Sequence, residues 1–344
     1  MNHSAQLRSD YPQILLLKEA GLNELEGFLS RNGWIRTRES IRDVSPAGDG
    51  NMNVTRRVRF SSDRSIILKQ SLPWVAKYPE IPAPWDRVIR EARFYQTVYP
   101  FPEVAEAMPQ LLGIDFEHRI AGLEDLGAAS DLTPFYQREH SIPESDLKAI
   151  AAWLSHLHRL PFSNAERQTL PNRDMRALNF EHLFTIPFQG NNGLDLDAIT
   201  PGLAACARTV QQRKSLGRII RRFGEEVYLT DGPSLLHGDP FPGSFLHTRQ
   251  GVRVIDPEFA FFGRPEIDVG IFLAHLRLGH HPDSLEDAFF HHYDAPEPFD
   301  PDIARKMAAI EILRRLLGVA QLPLEAALVE KQHWIEDACR TLVT

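Results

Sequence analysis

The stretch LLHGDPFPGSFL, residues 235–246, and the stretch VRVIDPEFAFFG, residues 252–263, each place an aspartate shortly after an apolar run. Asp239 and Asp256 are separated by a segment long enough for one hairpin between two buried strands. We therefore expect their carboxylates to lie side by side, where one can accept a proton from a hydroxyl group and the other can bind a hard cation. Glu258 can add a second carboxylate to that cation. The alternative is an ordinary hairpin with two turn aspartates.

The first third of the chain has the pattern of a small antiparallel sheet with a helix. The run VTRRVRF alternates, SSDR predicts a turn and SIILKQ is apolar again, which together indicate a hairpin. Apolar residues at helical spacing predict a helix within 85–99. Asn23 and Glu26 have the spacing of a capping box, which predicts a short helix at about residues 24–31. The predicted strands are 54–60, 65–70, 111–115 and 119–123.

Beyond residue 126 the composition becomes that of a helical protein. Apolar residues form one stripe of a helix predicted at 144–160, and further helices are expected at 203–223 and over most of the chain beyond residue 268. The tract 161–202, with its Pro, Asn and Gly residues, is expected to be rich in loops. The sequence thus predicts an α+β, bilobal protein. Its two domains are a small antiparallel-sheet N-terminal lobe at 1–126 and a larger, mostly helical C-terminal lobe at 127–344.

A glycine-containing segment, GDGNMN, precedes the first predicted hairpin. Gly48 and Gly50 flank Asp49, and Asn51 follows. Such a segment can fold tightly and bring backbone amides close to phosphate oxygens. An ordinary hairpin turn has the same composition, so both interpretations stay open here.

Lys69 lies within an apolar predicted strand, and Glu91 lies on the helix predicted at 85–99. A lysine among core-facing neighbours is costly unless its ammonium group is paired, and a helix glutamate is a natural partner. The alternative is a solvated lysine at the edge of a sheet with an unrelated surface glutamate.

Arg314 and Arg315 interrupt the otherwise apolar helical run EILRRLLGVA. Guanidinium groups in such a run either meet buried acids or face an oxygen-rich ligand. The histidine pairs at 280–281 and 291–292 do not predict a metal site, because adjacent histidines diverge on any regular element.

Composition limits the partners of the chain. Acidic residues outnumber basic ones, 46 to 38, for a formal net charge of -8, so a broad nucleic-acid surface is not expected. Cys206 and Cys339 lack metal-ligand spacing, which favours a reducing, cytoplasmic setting. No apolar run approaches ~18 residues, so neither a membrane span nor a signal peptide is expected. A homodimer is left open.

Taken in order, these segments resemble a known family. A glycine loop, a strand lysine, a helix glutamate, a linker LEDL, a helix ending WLSHLHRL, and then His-Gly-Asp and Asp-Pro-Glu resemble the aminoglycoside phosphotransferase-like kinases of the protein kinase-like superfamily. Within them, IDPEFAFFG, GDGNMN and LRRLLGVA are similar to the methylthioribose kinase family. The resemblance implies two lobes and phosphoryl transfer from ATP to the anomeric hydroxyl of 5-methylthioribose, a step of methionine salvage.

The resemblance also implies the residues that bind the nucleotide. Lys69 would contact the phosphates with Glu91 bracing it, and backbone groups of the 123–126 linker, with Glu124 and Leu126, would hold adenine. The phosphate loop would consist of Gly48, Asp49, Gly50 and Asn51.

On the acceptor side, the resemblance implies that Asp239 orients or deprotonates the sugar hydroxyl. Arg314 and Arg315 would hold the acceptor together with Asp239. Asp268 would be a buried aspartate that anchors the catalytic loop.

For the metal, the resemblance implies Mg²⁺ held by Asp256 and Glu258. Ser244 stands where most relatives have an asparagine ligand of a second metal ion. Because a serine hydroxyl is a shorter ligand than that asparagine, Glu258 would supply the missing oxygen.

The sequence departs from the family near the acceptor side. Pro240 and Phe241 replace a leucine and a polar residue, and Arg264 replaces a proline. A kinase of another pentose, an amino alcohol or an aminoglycoside therefore remains an alternative. A pseudokinase that only binds nucleotide is a further one, although such a protein has no need of a proton acceptor at Asp239.

Overall fold

The alternating run at 54–60 forms a strand, as its pattern predicts. The structure is a computed structural model, and it describes residues 3–48, 52–280 and 284–344. The chain divides into two units, Met1–Ala128 and Ala129–Thr344. In the described ranges no helix combines the length and the apolar character that a membrane crossing requires.

The first unit contains an antiparallel sheet of five strands in the order β1-β2-β3-β5-β4. Three of the four predicted strands have the predicted bounds, and the fourth begins one residue later; the first strand was not predicted as a separate element. Lys69, on the third strand, is opposite Thr55 and Ala121. The strands are β1 Ile41–Pro46, β2 Val54–Phe60, β3 Ser65–Gln70, β4 Leu111–Asp115 and β5 Ile120–Glu124.

Four helices accompany this sheet in the described residues: α1 His3–Asp10, α2 Leu22–Arg31, α3 Arg87–Val98 and α4 Pro102–Ala105. The predicted capping box of α2 is wrong. The helix begins two residues earlier, with Gly21 as its N-cap and no side-chain cap. The Glu26 carboxylate instead accepts a hydrogen bond from the backbone N–H of Ile41, 2.9 Å away, so a bond to the first strand replaces the local one.

Trp34 lies against two glycines of the sheet. A Cβ atom on Gly113 or on Gly122 would come within 3.0 Å of the Trp34 ring. The ring also makes an edge contact with Phe28 of α2, with centroids 5.5 Å apart. The absence of side chains on β4 and β5 at these positions therefore lets the indole seal the core between the sheet and α2.

The second unit is mostly helical. Its helices are α5 Glu144–His158, α6 Asn164–Arg167, α7 Arg173–Phe180, α8 Leu196–Ile199, α9 Leu203–Gln211, α10 Lys214–Phe223, α11 Glu266–Leu278, α12 Ser284–His292, α13 Pro301–Leu317 and α14 Leu328–Val343. Its short strands are β6 Ser130–Asp131, β7 Ser234–Leu236, β8 Phe245–Thr248, β9 Gly251–Val254 and β10 Phe261–Gly263.

The structure adds detail to two predictions for this unit. The tract 161–202, expected to be rich in loops, also carries three short α-helices and a π-helical turn at Glu181–Thr185. Its Pro and Gly residues lie between these elements, where they begin and end short helices. The helices expected within 203–223 are α9 and α10, with a break between them at residues 212–213.

Two pairs of strands and one pair of helices position the loops after β7 and β9. β7 pairs with β10, and β8 pairs with β9 as the predicted hairpin. α11, which follows β10, packs closely along α13, since a Cβ on Gly270 would lie 2.6 Å from the carbonyl oxygen of Ala304. The loops are thus supported by the most buried helices of the unit.

We predict that Gly122→Ala lowers the free energy of unfolding of the first unit by about 1–3 kcal/mol, because the added methyl group overpacks the site under the Trp34 ring. Gly27→Ala is the control. Gly27 lies inside α2, and the nearest neighbour of its added Cβ would be Arg31 at 3.5 Å, so the change should stabilise by about 0.5–1 kcal/mol. Urea denaturation of both variants measures the difference, and equal effects would contradict the steric argument.

Candidate functional site

Asp268, in the first turn of α11, holds the loop that carries Asp239. Its side chain is completely buried. Oδ2 accepts a hydrogen bond from the backbone N–H of His237 at 2.7 Å, and Oδ1 accepts one from Gly238 at 2.9 Å. Buried carboxylates are stable only with such donors. Asp268 therefore fixes the backbone direction immediately before Asp239.

A histidine and a tyrosine extend this anchor. Nε2 of His158 lies 3.2 Å from Oδ2 of Asp268, and its Nδ1 lies 2.8 Å from the hydroxyl of Tyr293. Burial, with the nearby negative charge of Asp268, raises the pKa of Tyr293. Tyr293 therefore stays protonated, and its hydroxyl donates a hydrogen bond to Nδ1 of His158. The ring proton of His158 is then on Nε2, where it faces Asp268.

Gly238 cannot carry a side chain. Its φ is +89°, in the left-handed region, and a Cβ would lie 2.2 Å from the carbonyl oxygen of Phe259. The loop after β7 therefore touches the loop after β9 through backbone atoms.

His237 and Ser244 join the same two loops by hydrogen bonds. Nε2 of His237 donates to the carbonyl oxygen of Ile255 at 2.9 Å, and Nδ1 accepts from the N–H of Asp239 at 3.4 Å. The Ser244 hydroxyl donates to the carbonyl oxygen of Asp239 at 3.1 Å. The N–H of Ile255 in turn donates to the carbonyl oxygen of Ser244 at 2.9 Å. These bonds connect the loop that carries Asp239 and Ser244 to the backbone directly before Asp256.

Asp256 and Glu258 lie on the turn that follows β9. Asp256 has φ +62° and is partly exposed, whereas Glu258 is 7% exposed. The side-chain amide of Asn172 donates to the carbonyl oxygens of Glu258 and Ala260, both at 2.9 Å. Asn172 comes from the tract expected to be rich in loops and was not predicted. Its partners lie more than 80 residues away, so no local pattern indicates the contact.

Arg314 and Arg315 both reach Asp239. Nη1 of Arg314 and Nη2 of Arg315 each lie 3.2 Å from the same oxygen, Oδ1. Both guanidinium side chains are 6% exposed. The structure therefore brings together the three residues that the sequence predicts for the acceptor side.

Glu311, one turn earlier on α13, was not predicted. It is completely buried, both of its oxygens accept from Nη1 of Arg314 at 3.1 and 3.0 Å, and Oε1 accepts from Nε of Arg315. Burial opposes its ionisation, but the two guanidinium groups outweigh burial and hold the pKa of Glu311 well below its usual value. The signal was present in the sequence, because Glu311 is three and four residues before the arginines.

Behind Glu311 lie a histidine and a tyrosine. The Tyr136 hydroxyl is 2.6 Å from Nδ1 of His275, whose Nε2 is 3.3 Å from Oε1 of Glu311. Burial raises the pKa of Tyr136 and lowers the pKa of His275. Tyr136 thus donates to Nδ1 of a neutral imidazole, and the imidazole N–H points to the glutamate.

In the first unit, the predicted pair of Lys69 and Glu91 forms. Nζ of Lys69, on β3, is 2.7 Å from Oε2 of Glu91, on α3, and the side chains are 5% and 1% exposed. A lysine held in this way presents its charge at a fixed place, at the cost of desolvating both groups.

The linker after β5 is tied to β2. Asp125 accepts two hydrogen bonds from Arg57, at 2.7 and 2.9 Å. Burial opposes the charge on Asp125, but Arg57 outweighs it, so the pKa of Asp125 is lowered. Glu124 is exposed and accepts from the N–H of Gln110 at 3.0 Å, and Leu126 is half-buried. Sequence reasoning missed this ion pair, whose members are far apart in the chain.

The predicted phosphate loop is described only in part. Gly48 has φ +82°, in the left-handed region that glycine adopts without strain. Asp49, Gly50 and Asn51 lie outside the described residues. Directly after them, the carbonyl oxygen of Met52 accepts a hydrogen bond of 2.5 Å from Arg87.

Arg87 is a further residue that the sequence analysis missed. It is completely buried and donates to four backbone carbonyl oxygens, those of Met52, Leu72, Trp74 and Pro84. It thereby connects the end of the predicted phosphate loop to the segment between β3 and α3.

Comparison with known proteins gives a consistent result. The profile of the phosphotransferase enzyme family matches residues 43–306. A methylthioribose kinase of Exiguobacterium sibiricum is 30% identical over 250 residues, covering 69% of this chain and 61% of the relative. The alignments span about three fifths of the length of the curated relatives.

Solved structures show the same fold. An ethanolamine kinase of Plasmodium vivax has a TM-score of 0.55 at 11% identity, covering 94% of this chain and 95% of that one. A choline kinase of Streptococcus pneumoniae has a TM-score of 0.51 at 14% identity, covering 93% and 99%. The predicted α+β, kinase-like fold class is therefore confirmed, as is the resemblance on which it drew. Because the family profile covers most of the chain, this protein belongs to the phosphotransferase enzyme family.

Proposed function

We propose that this protein is an ATP-dependent kinase of a small-molecule hydroxyl group, with 5-methylthioribose as the acceptor and 5-methylthioribose 1-phosphate as the product. The observation that carries the proposal is the environment of Asp239, a carboxylate on a doubly anchored loop with two buried arginines on one of its oxygens. Family membership and the likeness to methylthioribose kinases support the same reaction class.

Phosphoryl transfer depends mainly on positioning and on neutralising charge, so few groups are needed. The acceptor hydroxyl oxygen attacks the γ-phosphorus, the bond from that phosphorus to the bridging oxygen breaks, and ADP leaves. In this proposal the hydroxyl proton passes to Asp239. Because both arginines contact Oδ1, Oδ2 is the oxygen available to the acceptor hydroxyl.

The oxygen donors on the turn after β9 and on the turn before β8 suit Mg²⁺. Asp256, Glu258 and Ser244 offer only oxygen atoms, which this ion prefers. In the described part of the chain, no group of three or more acidic, histidine or cysteine side chains is close enough to hold a metal ion. Mg²⁺ bound here would therefore take its other oxygens from phosphates and water, which is usual for it. When bound, it would neutralise charge on the transferred phosphoryl group.

In the first unit, Lys69 would contact the phosphates of ATP while Glu91 holds the ammonium group in place. Gly48 with the following residues 49–51 would approach the phosphates through backbone amides. The linker at 123–126, with Glu124 and Leu126, would hold adenine. The ion pair between Arg57 and Asp125 would keep this linker in position.

The decisive assay is Mg²⁺-dependent release of ADP from ATP with a panel of acceptors. We expect turnover with 5-methylthioribose and little with ribose, other pentoses, amino alcohols or an aminoglycoside. Turnover with another acceptor would keep the kinase and change the substrate, and Phe241, whose ring is 5.1 Å from the Arg315 guanidinium, would be the first residue to examine. Tight nucleotide binding without turnover of any acceptor would indicate a pseudokinase.

We predict that Asp239→Asn lowers kcat by roughly 10²–10⁴-fold, the usual contribution of a group that accepts a proton in the transition state. The Kd of ATP should not rise by more than about twofold, because the lost interaction is made mainly in the transition state. Asp231→Asn, an exposed aspartate just before β7, is the control and should keep wild-type kcat. A kcat of Asp239→Asn near that of the control would exclude Asp239 as the proton acceptor.

The structural and functional roles of the buried pair of Lys69 and Glu91 can be separated by substitution. Lys69→Met leaves a buried glutamate without its lysine and should lower the free energy of unfolding by about 3–5 kcal/mol. The double variant Lys69→Met/Glu91→Leu removes both charges and should regain most of that stability. Its KM for ATP should nevertheless stay raised about tenfold or more, since the phosphate contact is absent. Urea denaturation and ATP titration measure the two effects, and wild-type ATP affinity in the double variant would show a purely structural pair.

A further inference from the structure

Four charged side chains form one cluster that includes the Asp239 carboxylate. Arg314 and Arg315 supply two positive charges, and Asp239 and Glu311 supply two negative ones. Their side-chain exposures are 6%, 6%, 13% and 0%. Water therefore does little to screen them, and the charges of the four groups must balance one another.

Glu311 supplies the second negative charge that balances the two arginines. Two guanidinium groups on one oxygen of Asp239 repel each other, and this single carboxylate offers only one negative charge against them. Glu311 contacts both arginines from the other side, with two bonds to Arg314 and one to Arg315. In the described ranges, Glu311 and Asp239 are the carboxylates in ion-pair contact with these arginines.

The neighbouring titratable groups add no charge. Burial, and the adjacent Arg314, lower the pKa of His182 to about 4, and burial lowers the pKa of His275. Burial raises the pKa of Tyr136 and of Tyr228. Near neutral pH these four side chains are uncharged, so the net charge of the site is set by the two arginines and the two carboxylates.

Glu311 is itself held in place. Its Oε1 faces Nε2 of His275, which is fixed by the Tyr136 hydroxyl at Nδ1. A glutamate without such contacts could turn toward either arginine alone. With them, it holds one orientation in which both arginines reach Oδ1 of Asp239.

We infer that Glu311 is a positioning residue: it fixes Arg314 and Arg315 on one oxygen of Asp239 and keeps the acceptor side of the site free of net charge, so that uncharged acceptors are preferred over anionic ones. The preference for uncharged acceptors rests on the proposed function. The charge balance does not depend on that function and can be tested without turnover.

The test measures binding of inorganic phosphate by calorimetry. Glu311→Gln keeps the size of the side chain but leaves one positive charge unmatched. It should bind phosphate at least about tenfold more tightly than the wild-type protein, the effect of one charge-assisted contact. The double variant Glu311→Gln/Arg315→Gln restores the balance and should bind phosphate as weakly as the wild type. Phosphate bound elsewhere on the protein is common to all variants and cancels in the comparison.

Glu286→Gln is the matched control, because Glu286 also accepts two hydrogen bonds from an arginine, Arg277, at 2.6 and 3.0 Å. It removes the same charge from a different ion pair and should leave phosphate affinity unchanged. Folded Glu311→Gln with wild-type phosphate affinity would overturn the charge-balance role, whether or not the protein turns over any acceptor.

Kinetics test the positioning role where an acceptor is turned over. Glu311→Asp keeps the charge but withdraws the carboxylate by one methylene group. It should raise the KM for the acceptor about tenfold while the KM for ATP stays within about twofold, a split that a general loss of stability would not produce. Glu311→Asp also carries the test if Glu311→Gln does not fold, and an unchanged acceptor KM would then overturn the inference. Absence of turnover in the wild type would count against the proposed function alone.

Discussion

The geometry of the candidate site depends on one buried carboxylate. Asp268 accepts hydrogen bonds from two successive backbone N–H groups, those of His237 and Gly238, and faces the imidazole of His158. Two consecutive N–H groups point to the same carboxylate only when the chain turns sharply between them, and the left-handed conformation of Gly238 provides that turn. The position of Asp239 is thus determined by α11, which belongs to the helical core, and not by the loop itself.

Three acidic residues of the second unit have different environments and correspondingly different roles. Asp268 is surrounded by N–H donors and supports the backbone. Glu311 is paired with two arginines and supports side chains. Asp239 shares those arginines but remains 13% exposed, so it is the member of the set that a ligand can reach. The environment of each carboxylate, rather than its residue type, therefore determines whether it supports the structure or faces a ligand.

Features with a local pattern could be predicted from the sequence. The alternation at 54–60 and the apolar run at 65–70 predicted β2 and β3 with the correct bounds, and the order of short motifs indicated the fold class. Contacts between distant residues that belong to none of those motifs could not be predicted. Asn172 holds a turn more than 80 residues away, and Asp125 is paired with an arginine 68 residues earlier. The prediction of a capping box for α2 was wrong for a similar reason, because the Glu26 carboxylate accepts a hydrogen bond from Ile41 of β1 instead. Glu311 was also missed, although its spacing of three and four residues from the arginines along α13 is a local pattern.

The contact between Gly238 and Phe259 restricts how this site can change. Backbone atoms of the two loops touch there, with no room for a single carbon atom between them. A residue inserted in either loop would have to displace the other, so the loops after β7 and β9 can vary in sequence but hardly in length. The proposed acceptor side has no such restriction, because Arg314 and Arg315 come from one regular helix. New acceptors are therefore expected to arise in this family through substitutions on that helix, while the two loops keep their lengths.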